Sequence, residues 1–260
     1  MLTSLQNSKV KYLVKLREKR KLRISDSCFL VEGFREIDRA VSSGFKIKEL
    51  YFCKAVMNSE AEKILAQHKT DAIEVSEDVF KKTAIRDGSD GLLAVFQMPN
   101  NRLESIQLSN KSIIVALDGV EKPGNLGAIL RSCDAVGVSA IVLLNSKVDA
   151  YNPNVVRTSL GALFSVPVIE CANEEFLNYC NKHKVRTVAA SPFASDYHFN
   201  ADLRGPICCV LGSEAFGLSE FWESNSHSLV KIPMNGVCDS LNVSVAAAVI
   251  IYESLRQQSS

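Results

Sequence analysis

Ile232-Pro233-Met234-Asn235-Gly236-Val237-Cys238-Asp239-Ser240-Leu241-Asn242-Val243-Ser244-Val245 is the stretch on which the reading of this chain turns. A strand ends at Ile232, a Pro-Met-Asn-Gly turn follows, and Ser240 and Asn242 precede a helix. Hydroxyl, amide and free backbone N–H groups therefore meet at one helix start, which is a binding site in outline. From Val243 to Tyr252 nearly every residue is Val, Ala or Ile, and a polar face begins only with Glu253, Arg256 and Gln257. A helix apolar all round is buried on every side or shared with a second subunit. An ordinary C-terminal core helix with a Ser cap is the competing reading, so two upstream segments are weighed with it.

The first is Val210-Leu211-Gly212-Ser213-Glu214-Ala215-Phe216-Gly217-Leu218-Ser219. A strand running into Gly-Ser-Glu puts a carboxylate at the mouth of a sheet, and flanking glycines let the chain fold tightly around a ligand. A lone Glu214 can equally cap the next helix. The second is Leu117-Asp118-Gly119-Val120-Glu121-Lys122-Pro123-Gly124-Asn125-Leu126-Gly127-Ala128-Ile129-Leu130-Arg131-Ser132-Cys133-Asp134. Asn125 is placed to cap a helix whose apolar stripe is Leu126, Ile129, Leu130, Cys133 and Val136, with Arg131 on another side. A surface arginine and an ordinary cap are the alternative readings. The Gly124-x-x-Gly127 spacing lacks the third glycine of a dinucleotide fingerprint and no suitable acid follows the next strand, which argues against a nicotinamide site.

These segments sit among apolar runs at Ile113–Leu117, Ala140–Leu144, Val166–Ile169, Arg186–Ala190, Ile207–Leu211 and Leu229–Ile232, interleaved with helical patterns. Continuous β-branched runs between helices predict a buried parallel sheet with ligands beyond its carboxyl edge. Pro99 to Asn110 has the composition of a linker. The boundary is placed there, giving domains 1–105 and 106–260. The first domain reads as a smaller α/β unit: strands at Cys28–Gly33, Ile47–Cys53, near Ile73 and at Leu92–Phe96, with helices running to Ser43, from Ser59 to about His68, and around Glu77–Lys82.

With 260 residues and 47% hydrophobic content the chain can build real cores. No apolar run approaches a membrane span and the N-terminus lacks a signal-peptide core, so the expectation is a cytoplasmic protein with no membrane partner. The eight cysteines form no C-x-x-C pair and the four histidines complete no ligand spacing. Reduced core thiols and no metal are expected. The net charge is only +1, but Lys9, Lys11, Lys15, Arg17, Lys19, Arg20, Lys21 and Arg23 stand against the single acid Glu18. Solvated helix faces normally alternate sign, so this run, with Val10, Leu13, Val14 and Leu16 at helical spacing, reads as one amphipathic helix from Val10 to Leu22 that can face phosphate.

Taken together, Asn125-x-Gly127-x-x-x-Arg131, Gly212-Ser213-Glu214-x-x-Gly217-Leu218 and Ile232-Pro233-Met234…Ser240-Leu241-Asn242-Val243-Ser244 resemble the SpoU, or TrmH-like, family of RNA ribose 2′-O-methyltransferases over about residues 111 to 257. More loosely, Ser-x-x-Asn-x-x-Val-Lys near the start and Phe29-Leu30-Val31-Glu32-Gly33 are similar to a ribosomal-protein-like RNA substrate-binding domain. The resemblance implies an α/β fold with a parallel sheet threaded into a deep trefoil knot, S-adenosylmethionine held in the knot, and a homodimer formed through the C-terminal domain. Ala215 departs from the glycine that many relatives carry there.

By the resemblance, Arg131 is the residue most closely tied to catalysis. A guanidinium keeps its proton, with a pKa above about 12. The expected role is therefore to clamp phosphate and stabilise the developing alkoxide, with Asn125, Ser240 and Asn242 fixing the ribose and Glu214 orienting Arg131 or accepting the proton. Cofactor contacts are implied at Gly212, Ile232, Met234, Leu241, Ala190 and Ser191. The basic run is the candidate RNA contact, and Arg157 is a lower-ranked one that can meet either RNA phosphate or the partner subunit. The implied substrate is rRNA rather than tRNA, since the N-terminal domain exceeds the short extensions of tRNA-specific relatives. A tRNA ribose methyltransferase, a base-directed relative and a non-catalytic RNA-binding or ribosome-assembly protein are the rival readings.

Overall fold

Buried strands joined through helices need both faces of their sheet covered, and the chain meets that need twice. The structure, a computed structural model, describes residues 1–67, 72–86 and 88–259. Contacts divide these into one unit of Met1–Asn100 with Tyr151–Phe164 and a second of Asn101–Ala150 with Ser165–Ser260.

The first unit holds strands β1 (Cys28–Glu32), β2 (Ile47–Phe52), β3 (Ala72–Glu74) and β4 (Leu92–Gln97) in the order β1-β4-β2-β3. β4 runs antiparallel to β1 and β2, and β3 parallel to β2. Its helices are α1 (Ser8–Glu18), α2 (Arg20–Asp26), α3 (Phe34–Ser42), α4 (Ser59–Gln67) and α5 (Glu77–Thr83). The expected end of α4 at His68 lies outside the described residues.

The single basic helix expected from Val10 to Leu22 is two. The backbone is extended at Lys19, with φ −110° and ψ 106°. The reason is Arg23, which is 2% exposed and donates from Nη1 to the carbonyls of Leu16 at 2.6 Å and Arg17 at 2.9 Å. These are carbonyls that α1 leaves unpaired at its end, and the guanidinium satisfies them.

Residues 151–164 were expected with the second domain. In the structure they contribute α7 (Pro153–Thr158) to the first unit, where β1 presents Phe29 to Tyr151 and Phe164 with ring centroids 4.6 and 6.4 Å away. Phe45 meets Phe164 at 5.2 Å. Aromatic contacts between such distant parts of the sequence leave no local pattern to read.

The second unit is built on seven strands in the order β7-β6-β5-β10-β8-β11-β9, every pair parallel. They are β5 (Ile113–Asp118), β6 (Ala140–Leu144), β7 (Val168–Cys171), β8 (Arg186–Ala190), β9 (Asp196–Tyr197), β10 (Ile207–Leu211) and β11 (Ser228–Lys231). Six match the predicted runs within one or two residues. β9 was not predicted, being two exposed residues without an apolar pattern. Helices α6 (Pro123–Val136), α8 (Asn173–His183), α9 (Glu220–Asn225) and α10 (Val243–Ser259) complete the unit. Trp222 on α9 is fully buried, its Nε1 donating to Asn173 Oδ1 at 3.1 Å.

α10 packs on α6 and buries Val243, Ala247, Ile250, Ile251 and Ser254. It was expected to be buried all round or shared. Within the chain one side stays open, with Val245 and Tyr252 each 48% exposed.

Arg23→Ala leaves two carbonyls without their charged donor, and the expected loss is about 2–3 kcal/mol in urea unfolding. Lys21→Ala, at an exposed position beside it, is expected to stay within about 0.5 kcal/mol of the parent.

Candidate active site

A parallel sheet delivers all its strand ends to one edge. Beyond the ends of β8, β10 and β11 lies a cavity of about 790 Å³. Its walls come from Ala190–Phe193, from the loop Leu211–Leu218, from Lys231–Asn235 and from the segment that enters α10. Ile232, Met234 and Leu241 give it an apolar side. Gly212, Ala190, Ser191, Glu214, Ser240 and Asn242 line it as well, so the six sequence-predicted cofactor residues converge on one space.

The loop after β10 is held by its own backbone. Ser213 N–H donates to the Gly217 carbonyl at 2.8 Å and Gly217 N–H returns the bond at 3.0 Å. At Gly212 a Cβ would stand 2.1 Å from the carbonyl carbon of Gly217, so only glycine permits this closure. Asp118, at the end of β5 and 4% exposed, anchors the far side. Its Oδ2 accepts from Ser219 N–H at 2.8 Å and its Oδ1 from the Asn145 amide at 3.4 Å. One buried carboxylate thus ties the ends of three neighbouring strands' loops. Sequence reasoning assigned Asp118 no role, although an acid closing an otherwise apolar strand was a readable signal.

At the rim the side chains form a polar chain. Asn242 Oδ1 accepts from Ser244 N–H at 2.9 Å and from Ser244 Oγ at 2.6 Å. Asn242 Nδ2 donates to Asn125 Oδ1 at 3.3 Å, and Asn125 Nδ2 donates to Glu214 Oε1. Asn125 is not the cap of α6. The cap is Lys122 with Pro123 following, which puts Asn125 inside the first turn and frees its amide to bridge. Ser240 is exposed beside this chain. Arg131 is exposed on α6, does not line the cavity, and among the described residues has no hydrogen-bond or ion-pair partner. Of the two roles expected of Glu214, orienting Arg131 has no bond behind it here, since the carboxylate meets Asn125 instead.

The two thiols of β10 are not nucleophiles. Burial pushes Cys209, in β10, up to about 12, so it stays a neutral core thiol. Among the described residues no group of three or more His, Cys, Asp and Glu comes together that can hold a metal.

The basic residues of the first unit divide. Lys11, Lys15, Lys19 and Lys21 are exposed. Lys9 pairs with Glu49 at 2.5 Å, and Arg17 donates to the carbonyls of Lys82 and Ala84 at 3.2 and 2.6 Å. Arg20 is partly buried and Arg23 is turned inward, so Arg23 does not meet RNA in this arrangement. Arg157 is exposed on α7, beside a small cavity that Glu32, Glu36 and Arg86 also line. Burial raises the Glu32 carboxyl.

An apolar-walled cavity at the carboxyl edge of a parallel sheet, rimmed by amides and a carboxylate, defines an α/β protein that holds a small organic molecule and presents it to a polar edge. Residues 112–252 match the SpoU rRNA Methylase family, and residues 7–94 match the MRM3-like substrate binding domain. The chain belongs to the SpoU rRNA Methylase family. It is 30% identical over 238 residues to the 23S rRNA (uridine(2479)-2'-O)-methyltransferase of Streptomyces viridochromogenes, covering 88% of this chain and 83% of that one. A crystal structure described as an RNA 2'-O ribose methyltransferase is 40% identical, with a TM-score of 0.85 over 98% of each chain. The SpoU methyltransferase AviRb of Streptomyces viridochromogenes, solved with the cofactor AdoMet, superposes with a TM-score of 0.92 at 28% identity, over 97% of this chain and 98% of that one.

Asp118→Ala removes the acceptor of the Ser219 amide. The expected loss is about 1–3 kcal/mol in urea unfolding, together with faster hydrogen exchange at Ser219 N–H. Unchanged protection of that amide would show that the carboxylate does not hold the loop.

Proposed function

We propose that this chain transfers a methyl group from S-adenosylmethionine to a ribose 2′-hydroxyl of rRNA. The observation that carries the reading is the polar chain Ser244–Asn242–Asn125–Glu214 at the rim of the cavity. The walls suit the cofactor. Ile232, Met234 and Leu241 offer apolar surface to an adenine, while Glu214, Ser240 and the loop backbone offer polar groups around it. When bound, S-adenosylmethionine supplies an activated methyl group on a sulfonium centre.

The residues then have to hold a ribose in line and manage one proton. Asn242 gives one amide hydrogen to Asn125, and Asn125 gives one to Glu214. Each amide keeps a second hydrogen for a sugar oxygen. Glu214 keeps Oε2 free to accept the hydroxyl proton or hold the hydroxyl. Arg131 clamps phosphate and steadies the developing alkoxide, a part suited to a planar fork that keeps its charge. It sits six residues beyond Asn125, about 9 Å along the helix. That separation, with its position outside the cavity, supports an active site completed by a second copy of the chain. The open side of α10, with Val245 and Tyr252, supports the same homodimer.

Further parts of the reading rest on narrower support. β10 lies between the earlier strands β5 and β8, which supports threading of the C-terminal part as a trefoil knot. The exposed lysines of α1 and α2 support phosphate contact by the first unit, and Arg157 is assigned to RNA with them. The match of residues 7–94 to a substrate-binding domain supports rRNA over tRNA. Six buried unpaired cysteines suit a reducing, cytosolic setting.

Calorimetric titration with S-adenosylmethionine, followed by tritiated methyl transfer to unmodified rRNA and tRNA, tests the proposal. The parent is expected to bind the cofactor and to label rRNA at alkali-resistant linkages. Arg131→Ala is expected to lower transfer by about 10²–10³-fold while cofactor affinity stays within about twofold. Absence of cofactor binding would refute the reading, and an Arg131→Lys enzyme with full turnover would refute the planar-fork role.

A further inference from the structure

Two phenyl rings stand almost wholly in water at the edge of the cavity. Phe193 is 91% exposed and Phe216 is 87% exposed, and both line the cavity. Neither contributes to a core. We propose that Phe193 and Phe216 form a stacking rim that receives the base of the target nucleotide, an inference that rests on the ribose methyltransferase reading.

The two rings are carried in the same way. Phe193 N–H donates to Ser191 Oγ at 3.3 Å, and Ala194 N–H donates to the Ser191 carbonyl at 3.2 Å. Ser191 itself is buried and its own N–H donates to the Val230 carbonyl at 2.9 Å, so the turn is rooted in the sheet. Phe216 N–H donates to Ser213 Oγ at 3.1 Å, inside the loop closed by the Ser213–Gly217 bridge. In each turn a serine hydroxyl holds the amide of the very residue whose ring is exposed. A ring on a fixed backbone loses little further freedom when it binds, so its contact area converts into affinity.

The charges around the rim say which part of a nucleotide belongs there. Lys122 and Lys231 line the cavity, but so do Glu214, Glu223 and Asp239. Mixed charge does not make a phosphate channel. A neutral, flat, apolar-faced group is what two phenyl rings and this balance accept. A ribose presented to the rim must come from an unstacked nucleotide, whose base then needs a surface to rest on. Phenylalanine offers a π-face and no hydrogen bond, so the rim grips a base without reading its identity. Tyr197, whose ring lies 5.3 Å from the Lys231 ammonium, extends this aromatic edge.

The test uses the full chain, unmodified rRNA and S-adenosylmethionine, with Phe193→Ala, Phe216→Ala and the matching Tyr variants. Each Ala variant is expected to raise KM for rRNA, and its dissociation constant by fluorescence anisotropy, by about tenfold. Cofactor affinity by calorimetry is expected to stay within about twofold, and the Tyr variants are expected to recover parental KM. Unchanged KM and anisotropy in both Ala variants would overturn the proposal. So would an equal loss of cofactor affinity, which would place the rings over the cofactor's adenine, or a shift to monomer in sedimentation, which would assign them to a subunit interface. A parent that binds rRNA without transferring methyl refutes the methyltransferase reading instead, and the anisotropy comparison still decides the rim.

Discussion

The amide of Asn125 faces two ways, and the candidate site depends on that. Its oxygen takes a hydrogen from Asn242, at the start of α10, and its nitrogen gives one to Glu214, in the loop after β10. Three segments far apart in sequence are thereby fixed to one another through a single planar group. An ester or a hydrocarbon of the same shape lacks either the donor or the acceptor. A primary amide has both, in fixed directions and without carrying charge. The arrangement works because α6 starts at Lys122 and Pro123, which leaves the Asn125 side chain without capping duty.

Most of the second unit's sheet was readable because parallel strands buried on both faces must be continuous apolar runs, as at Ile207–Leu211 and Ala140–Leu144. The convergence of Gly212, Ile232 and Leu241 was implied by the family resemblance, and a parallel sheet that brings its strand ends to one edge accounts for it. What escaped were features decided by tertiary partners. Nothing local marks Lys19 as a helix break, since the break depends on Arg23 folding back to Leu16. Nothing local assigns Tyr151 and Phe164 to the first unit, since that depends on Phe29. The Asn125–Glu214 bond was missed for the same reason, since the resemblance suggested for Glu214 only that it orients Arg131 or accepts the proton.

The basic run shows how far composition reaches. Lys15, Lys19 and Lys21 and the guanidinium of Arg23 are adjacent and equally charged, yet the lysines face water and the arginine is buried among carbonyls. The guanidinium's several donors in one plane let it satisfy two carbonyls at once, whereas an ammonium is a compact, strongly hydrated charge. Counting charges gives the field of such a segment. The donor geometry of each residue gives its place.

With the thiols of β10 held neutral by burial, the groups at the rim are two amides, hydroxyls and a carboxylate, none of them a strong nucleophile. Chemistry built from such groups depends on position, because each contributes only where its hydrogen or lone pair meets the reacting atoms. This explains why so much of the unit's polar bonding lies just outside the rim. Asp118 holds Ser219 and Asn145, Ser213 and Gly217 close their loop, and Ser191 roots its turn on β11 through Val230. None of these bonds touches a substrate. They restrict the freedom of loops that would otherwise wander at the edge of the sheet, and the alignment of Asn125, Asn242 and Glu214 is as good as that restriction makes it.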